Sequence, residues 1–125
     1  MSQNTRILSD GPLHIEREVG DDTLRLRFVG KSILRDPVDL VLPVLLEALE
    51  QAEVQNCRLI LDFCGITYMN SSSFTPIVKT LEKARVGTAQ MTVRYDSGQK
   101  WQSVSFTALN IFATPDGRVA IAEGG

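Results

Sequence analysis

The chain has 125 residues, 43% of them hydrophobic, and a formal net charge of −2. That length suits one compact domain spanning 1–125 with a single core. No basic block or basic–aromatic stripe is present, so nucleic-acid binding is not suggested, and no apolar run approaches the length of a membrane span.

The first residues, Met1-Ser2-Gln3-Asn4, are polar and do not read as a signal peptide. Residues 1–12 read as an N-terminal arm or an edge segment. Leu13 to Glu18 and Thr23 to Val29 read as two strands around a Gly20-Asp21-Asp22 turn, an antiparallel hairpin. In the second, Leu24, Leu26 and Phe28 alternate with Arg25 and Arg27, the mark of a strand with one face in the core. His14 is the only histidine and has no recognisable catalytic partner, so a structural role is expected.

Gly30-Lys31-Ser32 leads to Asp36-Pro37, a favourable cap followed by Pro in the first helical turn. Leu40, Val41, Val44, Leu45, Ala48, Leu49 and Ala52 form a broad apolar stripe, which predicts a helix to about Glu53. Pro43 interrupts the pattern and leaves two alternatives: a kink there, or a regular helix that begins near Leu42.

The stretch from Leu59 to Gly87 organises the rest. Leu59 to Phe63 lacks alternation, which suits a strand covered on both faces. After Gly65 a short connector, Ile66-Thr67-Tyr68-Met69, is expected before Asn70-Ser71-Ser72-Ser73. Phe74, Ile77, Val78 and Leu81 then recur at helical spacing, and Gly87 is placed to end that helix with a positive φ. Three serines therefore fall where a strand hands over to a helix start, a place that favours capping groups and tolerates added negative charge. Plain N-capping needs only one of them. Cys57 and Cys64 flank the strand, too far apart along an extended chain to bridge, which predicts reduced thiols and a cytoplasmic setting.

Further on, Gln90 to Tyr95 alternates, with Met91, Val93 and Tyr95 on one face. Lys100 to Leu109 reads as a helix with Trp101, Val104, Ala108 and Ser105 on its inner side. Val119-Ala120-Ile121 follows the Thr114-Pro115-Asp116-Gly117 turn as a last short strand. The order ββαβαβαβ predicts an α/β sandwich: a mixed, mostly parallel sheet with an antiparallel edge hairpin and helices packed against it. The functional surface of such a sheet lies beyond the C-terminal ends of its parallel strands, where the serines fall.

Tyr68-Met69-Asn70-Ser71-Ser72-Ser73-Phe74 resembles the Φ-Met-Asp-Ser-Ser-Gly-Leu signature of the STAS domains of anti-sigma-factor antagonists, and Gly30 matches the glycine after that family's second strand. The resemblance implies a STAS-like sandwich. It also implies that Ser71, with Ser72 as second choice, is phosphorylated by a partner Ser/Thr kinase and reset by a PP2C-type phosphatase. Asn70 stands where Asp is common, Ser73 where Gly is common, and Lys31-Ser32 where an acidic residue often follows the glycine. These departures are similar to stand-alone bacterial STAS-like regulators with an Asn-Ser-Ser-Ser motif, some of which control a diguanylate cyclase.

The resemblance implies a protein-binding regulator of a partner-switching pathway, not an enzyme. Its partners would be an anti-sigma factor or Ser/Thr kinase, the phosphatase, or a diguanylate cyclase. Met69, Asn70, Ser72, Ser73, Phe74 and Lys31 are the expected partner-binding residues. No cofactor is needed, because ATP and Mg²⁺ belong to the kinase. Two rivals stand beside this reading. An enzyme could use Ser71 or Cys64 as nucleophile, but no Gly-x-Ser-x-Gly elbow or metal-ligand cluster is present. A small-ligand sensor or scaffold would use the serines as caps alone.

Overall fold

A computed structural model describes residues 3–33 and 35–124, with side chains described from residue 5 onward. Its strands are β1 (Gln3–Asp10), β2 (Leu13–Val19), β3 (Thr23–Ser32), β4 (Arg58–Met69), β5 (Gln90–Tyr95) and β6 (Val119–Glu123). The helices are α1 (Pro37–Val54), α2 (Thr75–Val86) and α3 (Lys100–Thr107), and 3₁₀ turns cover Ser71–Phe74 and Ala108–Phe112. The segment before Pro12 is thus an edge strand, antiparallel to β2.

The six strands lie in sequence order, antiparallel through β1, β2 and β3 and parallel from β3 to β6. This is the mixed, mostly parallel sheet that the element order predicts. Each parallel crossover steps one strand in the same direction, and right-handed crossovers of that kind put every helix on one face. Burial agrees. Leu24, Leu26, Phe28, Leu59, Leu61, Phe63, Met91 and Val93 are buried on the helical side, together with Ile77, Leu81 and Phe106 from the helices.

The opposite face corrects the expectation that β4 is covered on both sides. Ile60 and Cys64 are only half-buried there, and Asp62 is buried beneath an ion pair with Arg25. Its unbroken apolar run had hidden a one-sided strand whose outer face carries Ile60.

β4 also runs further than expected, since 66–69 continue the strand instead of forming a connector. β3 accounts for this: it extends to Ser32 and pairs with β4 as far as Met69, past irregularities near Phe28 and Gly30. Gly30 has φ +100°, and a Cβ there would sit 1.9 Å from the Pro12 carbonyl oxygen, so only glycine fits.

β5 pairs with β4 only up to Asp62. Beyond that point Gln102 of α3 takes the place of a neighbouring strand. Its Nε2 donates to the carbonyls of Phe63 and Ile66, both at 2.8 Å, and its Oε1 accepts from the Asp96 N–H at 2.8 Å. This corrects the predicted inner face of α3. Gln102, Phe106 and, just beyond, Leu109 point inward, whereas Val104 is 65% exposed and Ala108 is exposed. A polar residue at the most buried position misleads any reading based on apolar spacing.

Two helix ends also differ. α1 begins at Pro37 and continues through Pro43, although Asp36 makes no side-chain cap. Pro43 and Asp39 are both exposed, so the carbonyl that loses its N–H partner is open to water. Gly87 ends α2 with φ −96°, in extended backbone and not the left-handed region.

Candidate functional site

The Asn70–Phe74 turn sits at the C-terminal end of β4, beside the end of β3. Asn70 N–H donates to the Ser32 carbonyl at 3.0 Å, which fastens the start of the turn to the sheet. Asn70 has extended backbone (φ −76°, ψ 164°), and its side chain accepts from the Ser73 N–H at 3.2 Å, the geometry of an N-cap. The cap is therefore Asn70, leaving the serines to other work. The Ser72 hydroxyl donates to Asn70 Oδ1 at 3.3 Å.

The three hydroxyls have different surroundings. Ser73 is 4% exposed, bonded to Ser32 and Asn70. Ser72 is exposed, with its hydroxyl engaged by Asn70. Ser71 is exposed, and its hydroxyl has no hydrogen-bond partner among the described residues.

The other expected contact residues divide the same way. Lys31 is exposed, Phe74 is half-buried, and Met69 is 8% exposed. Met69, Ser71 and Phe74 line a shallow hollow of about 430 Å³ with Ser105 and Leu109. Tyr68, next in the chain, is 52% exposed. Ser71 and Phe74 thus share this hollow with Met69, while half-buried Asn70 and exposed Ser72 adjoin them in the chain. The Ser73 side chain lies inside the domain, because its hydroxyl finds partners in the buried end of β3.

Ser32, Ser105 and Leu109 escaped the sequence reading as site residues. Ser32 had a signal in its place directly after Lys31, but only the parallel pairing of Ser32 with Met69 brings it under the turn. For Ser105 and Leu109 no local signal exists. They arrive by the packing of α3 and of the 3₁₀ turn that follows it.

The remaining reactive groups lie elsewhere. Burial first, then the hydrogen bond and charge of Asp62, push the Cys64 thiol up to about 12, so it stays protonated and poorly nucleophilic near neutrality. Cys57 and Cys64 are both free thiols. His14 pairs with Ser9 across the β1–β2 hairpin, Nδ1 to Oγ 2.9 Å. Among the described residues, no group of three His, Cys, Asp or Glu could hold a metal ion, and no helix is long and apolar enough to cross a membrane. The turn offers an exposed alcohol, and among the described residues no hydrogen bond joins that alcohol to a basic side chain that would make it a nucleophile.

No family model matches the chain, and no curated protein matches it in sequence. Among solved structures it is similar to an anti-sigma factor antagonist from Mycobacterium paratuberculosis, with a TM-score of 0.56 and 17% identity over 89% of this chain and 95% of that one. It is also similar to SiaC, the activator of the diguanylate cyclase SiaD, in the crystal structure of their complex from Pseudomonas aeruginosa. That match has a TM-score of 0.61 and 18% identity over 98% of this chain and 99% of that one. At these identities the likeness is one of fold, the STAS-like α/β fold, and it spans nearly the whole chain.

Proposed function

We propose that this STAS-like chain is a protein-binding regulator switched by phosphorylation of Ser71. The observation that carries the proposal is the contrast between adjacent hydroxyls: Ser73 is buried, Ser72 is engaged by Asn70, and Ser71 is exposed without a partner among the described residues. A partner Ser/Thr kinase can reach that oxygen without disturbing the core. It transfers a phosphoryl group from ATP to Ser71 Oγ, the Oγ–H bond breaks, and ADP leaves. A PP2C-type phosphatase returns the serine by hydrolysis.

Charge explains the switch. The unmodified face, with Lys31, Met69, Asn70, Ser72 and Phe74, docks on the partner, while Ser73 supports it from inside. Phosphate adds about −1.5 to −2 charges beside the apolar Met69–Phe74 hollow. Unless the partner supplies Arg or Lys there, the dianion must be desolvated against an apolar surface, and the complex weakens. A loss of about 3 kcal/mol lowers affinity by roughly two decades, enough for a switch.

The likeness in fold supports two partner classes. An anti-sigma factor or Ser/Thr kinase is the first reading. A diguanylate cyclase is the second, favoured by the likeness to SiaC over 98% of the chain. Pull-down from an extract of the native cells, using wild type, Ser71→Ala and Ser71→Asp as baits, separates the two by the protein retained. Retention by wild type and Ser71→Ala, with loss on Ser71→Asp, is expected. Equal retention by all three contradicts the switch and favours a scaffold in which the serines only shape the turn.

A further inference from the structure

The hydroxyls of Ser32 and Ser73 form a buried pair that the switch as described does not use. Ser32 is 6% exposed and Ser73 is 4% exposed. Ser32 Oγ donates to Ser73 Oγ at 2.7 Å. Ser73 Oγ has one proton and two acceptors within reach, the Ser32 carbonyl at 3.0 Å and Asn70 Oδ1. Asn70 Oδ1 also receives the Ser73 N–H and the Ser72 hydroxyl. The Ser73 N–H, an obligate donor, requires the amide atom it meets to be the oxygen, since an NH₂ group there would face it donor to donor.

From this geometry we infer that Ser32 and Ser73 are positioning residues for the phosphoacceptor turn. They act as a relay, Ser32 O–H to Ser73 O–H to Asn70 Oδ1, that holds the Asn70 amide oxygen inward and so sets the direction of Ser71. Each hydroxyl that donates becomes a better acceptor for the one behind it, so the relay is stronger than its separate bonds. Ser32 lies 39 residues before Ser71 in the chain, so the relay ties the turn to β3 independently of its own strand, β4. Without it, the turn keeps the backbone bond from Asn70 to the Ser32 carbonyl and the Ser73 N–H and Ser72 contacts to Asn70 Oδ1, but loses the buried hydroxyl that draws that oxygen inward. Ser71 then samples directions in which a kinase cannot use it.

A glycine or alanine at position 73 removes the middle of the relay, and an alanine at position 32 removes its origin. Because the two hydroxyls act in series, losing both should cost no more than losing one, whereas independent packing contacts would add.

The inference rests on the reading of Ser71 as phosphoacceptor for its consequence, but not for the relay itself, and the test keeps these apart. Amide hydrogen exchange of wild type, Ser32→Ala, Ser73→Ala, the double variant and Ser32→Thr reads the relay without any kinase. The expected result is an approximately tenfold faster exchange of the backbone amide at position 73 in either single variant, no further change in the double variant, and recovery in Ser32→Thr, with the core amides of Leu61 and Val93 unchanged. Additive changes, or an amide at position 73 that exchanges as in wild type, would overturn the relay. The rate of phosphoryl addition in native-cell extract supplied with ATP and Mg²⁺ reads the consequence. Slower modification in both single variants supports the positioning role, and wild-type rates despite faster exchange overturn it. Absence of phosphoryl addition to wild type itself sinks the phosphoacceptor reading, while hydrogen exchange still decides the relay.

Discussion

The ring of Phe74, the last residue of the serine turn, lies 5.4 Å from the ring of Phe106 at an interplanar angle of 57°. Phe106 is fully buried and also meets Phe63 at 5.2 Å and Tyr95 at 5.9 Å. The exposed turn is therefore anchored to the core through α3. Phe106→Ala should destabilise the fold by about 3–5 kcal/mol, because the site is surrounded on three sides and collapses poorly. Urea denaturation measures this, and a loss under about 1 kcal/mol would show that the aromatic cluster is loosely packed.

Gly30 is the second structural test. With φ +100° and the Pro12 carbonyl oxygen where a Cβ would stand, Gly30→Ala must distort either β3 or the β1–β2 turn. We expect a loss of at least about 2 kcal/mol, combining the left-handed strain with the clash. An unchanged unfolding midpoint would mean that the two segments are not packed as described.

Asp62 makes stability depend on pH. Burial pushes its carboxyl up, but the hydrogen bond from the Cys64 N–H and the Arg25 guanidinium together outweigh burial and hold it below its ordinary 3.8. A carboxylate depressed on folding stabilises the protein fully above the unfolded value, and that contribution is lost as pH falls through the folded one. Asp62→Asn should cost about 1–2 kcal/mol at pH 7, the half-exposed Arg25 keeping part of its hydration. The difference from wild type should shrink once the pH drops below 3.8. Denaturation at pH 7, 5 and 3 gives the comparison, and a difference that stays constant across that range contradicts the assignment.

Several of these features were readable in the sequence because their signals are local. Leu24, Leu26 and Phe28 alternate with arginines, so β3 announces its buried face. The Phe74, Ile77, Leu81 spacing places α2 in the same way. Legibility failed where the decisive partner is distant. The extension of β4 through Tyr68 and Met69 depends on β3 reaching Ser32. The orientation of α3 depends on Gln102 completing β4 where β5 stops. Within the site, the run Ser71-Ser72-Ser73 shows three equal serines as text, yet the fold makes them an exposed alcohol, a cap ligand and a buried relay. Only the position of Ser32 reveals the third.

In the proposed switch, charge is added at Ser71 and nowhere else in the turn. Peptide mapping by mass spectrometry, after wild type, Ser71→Ala and Ser72→Ala are incubated with native-cell extract, ATP and Mg²⁺, tests it most directly. One phosphoryl group is expected on Ser71 in wild type and in Ser72→Ala, and none on Ser71→Ala. A phosphoryl group on Ser72 in wild type, or none on any serine of the turn, would contradict it.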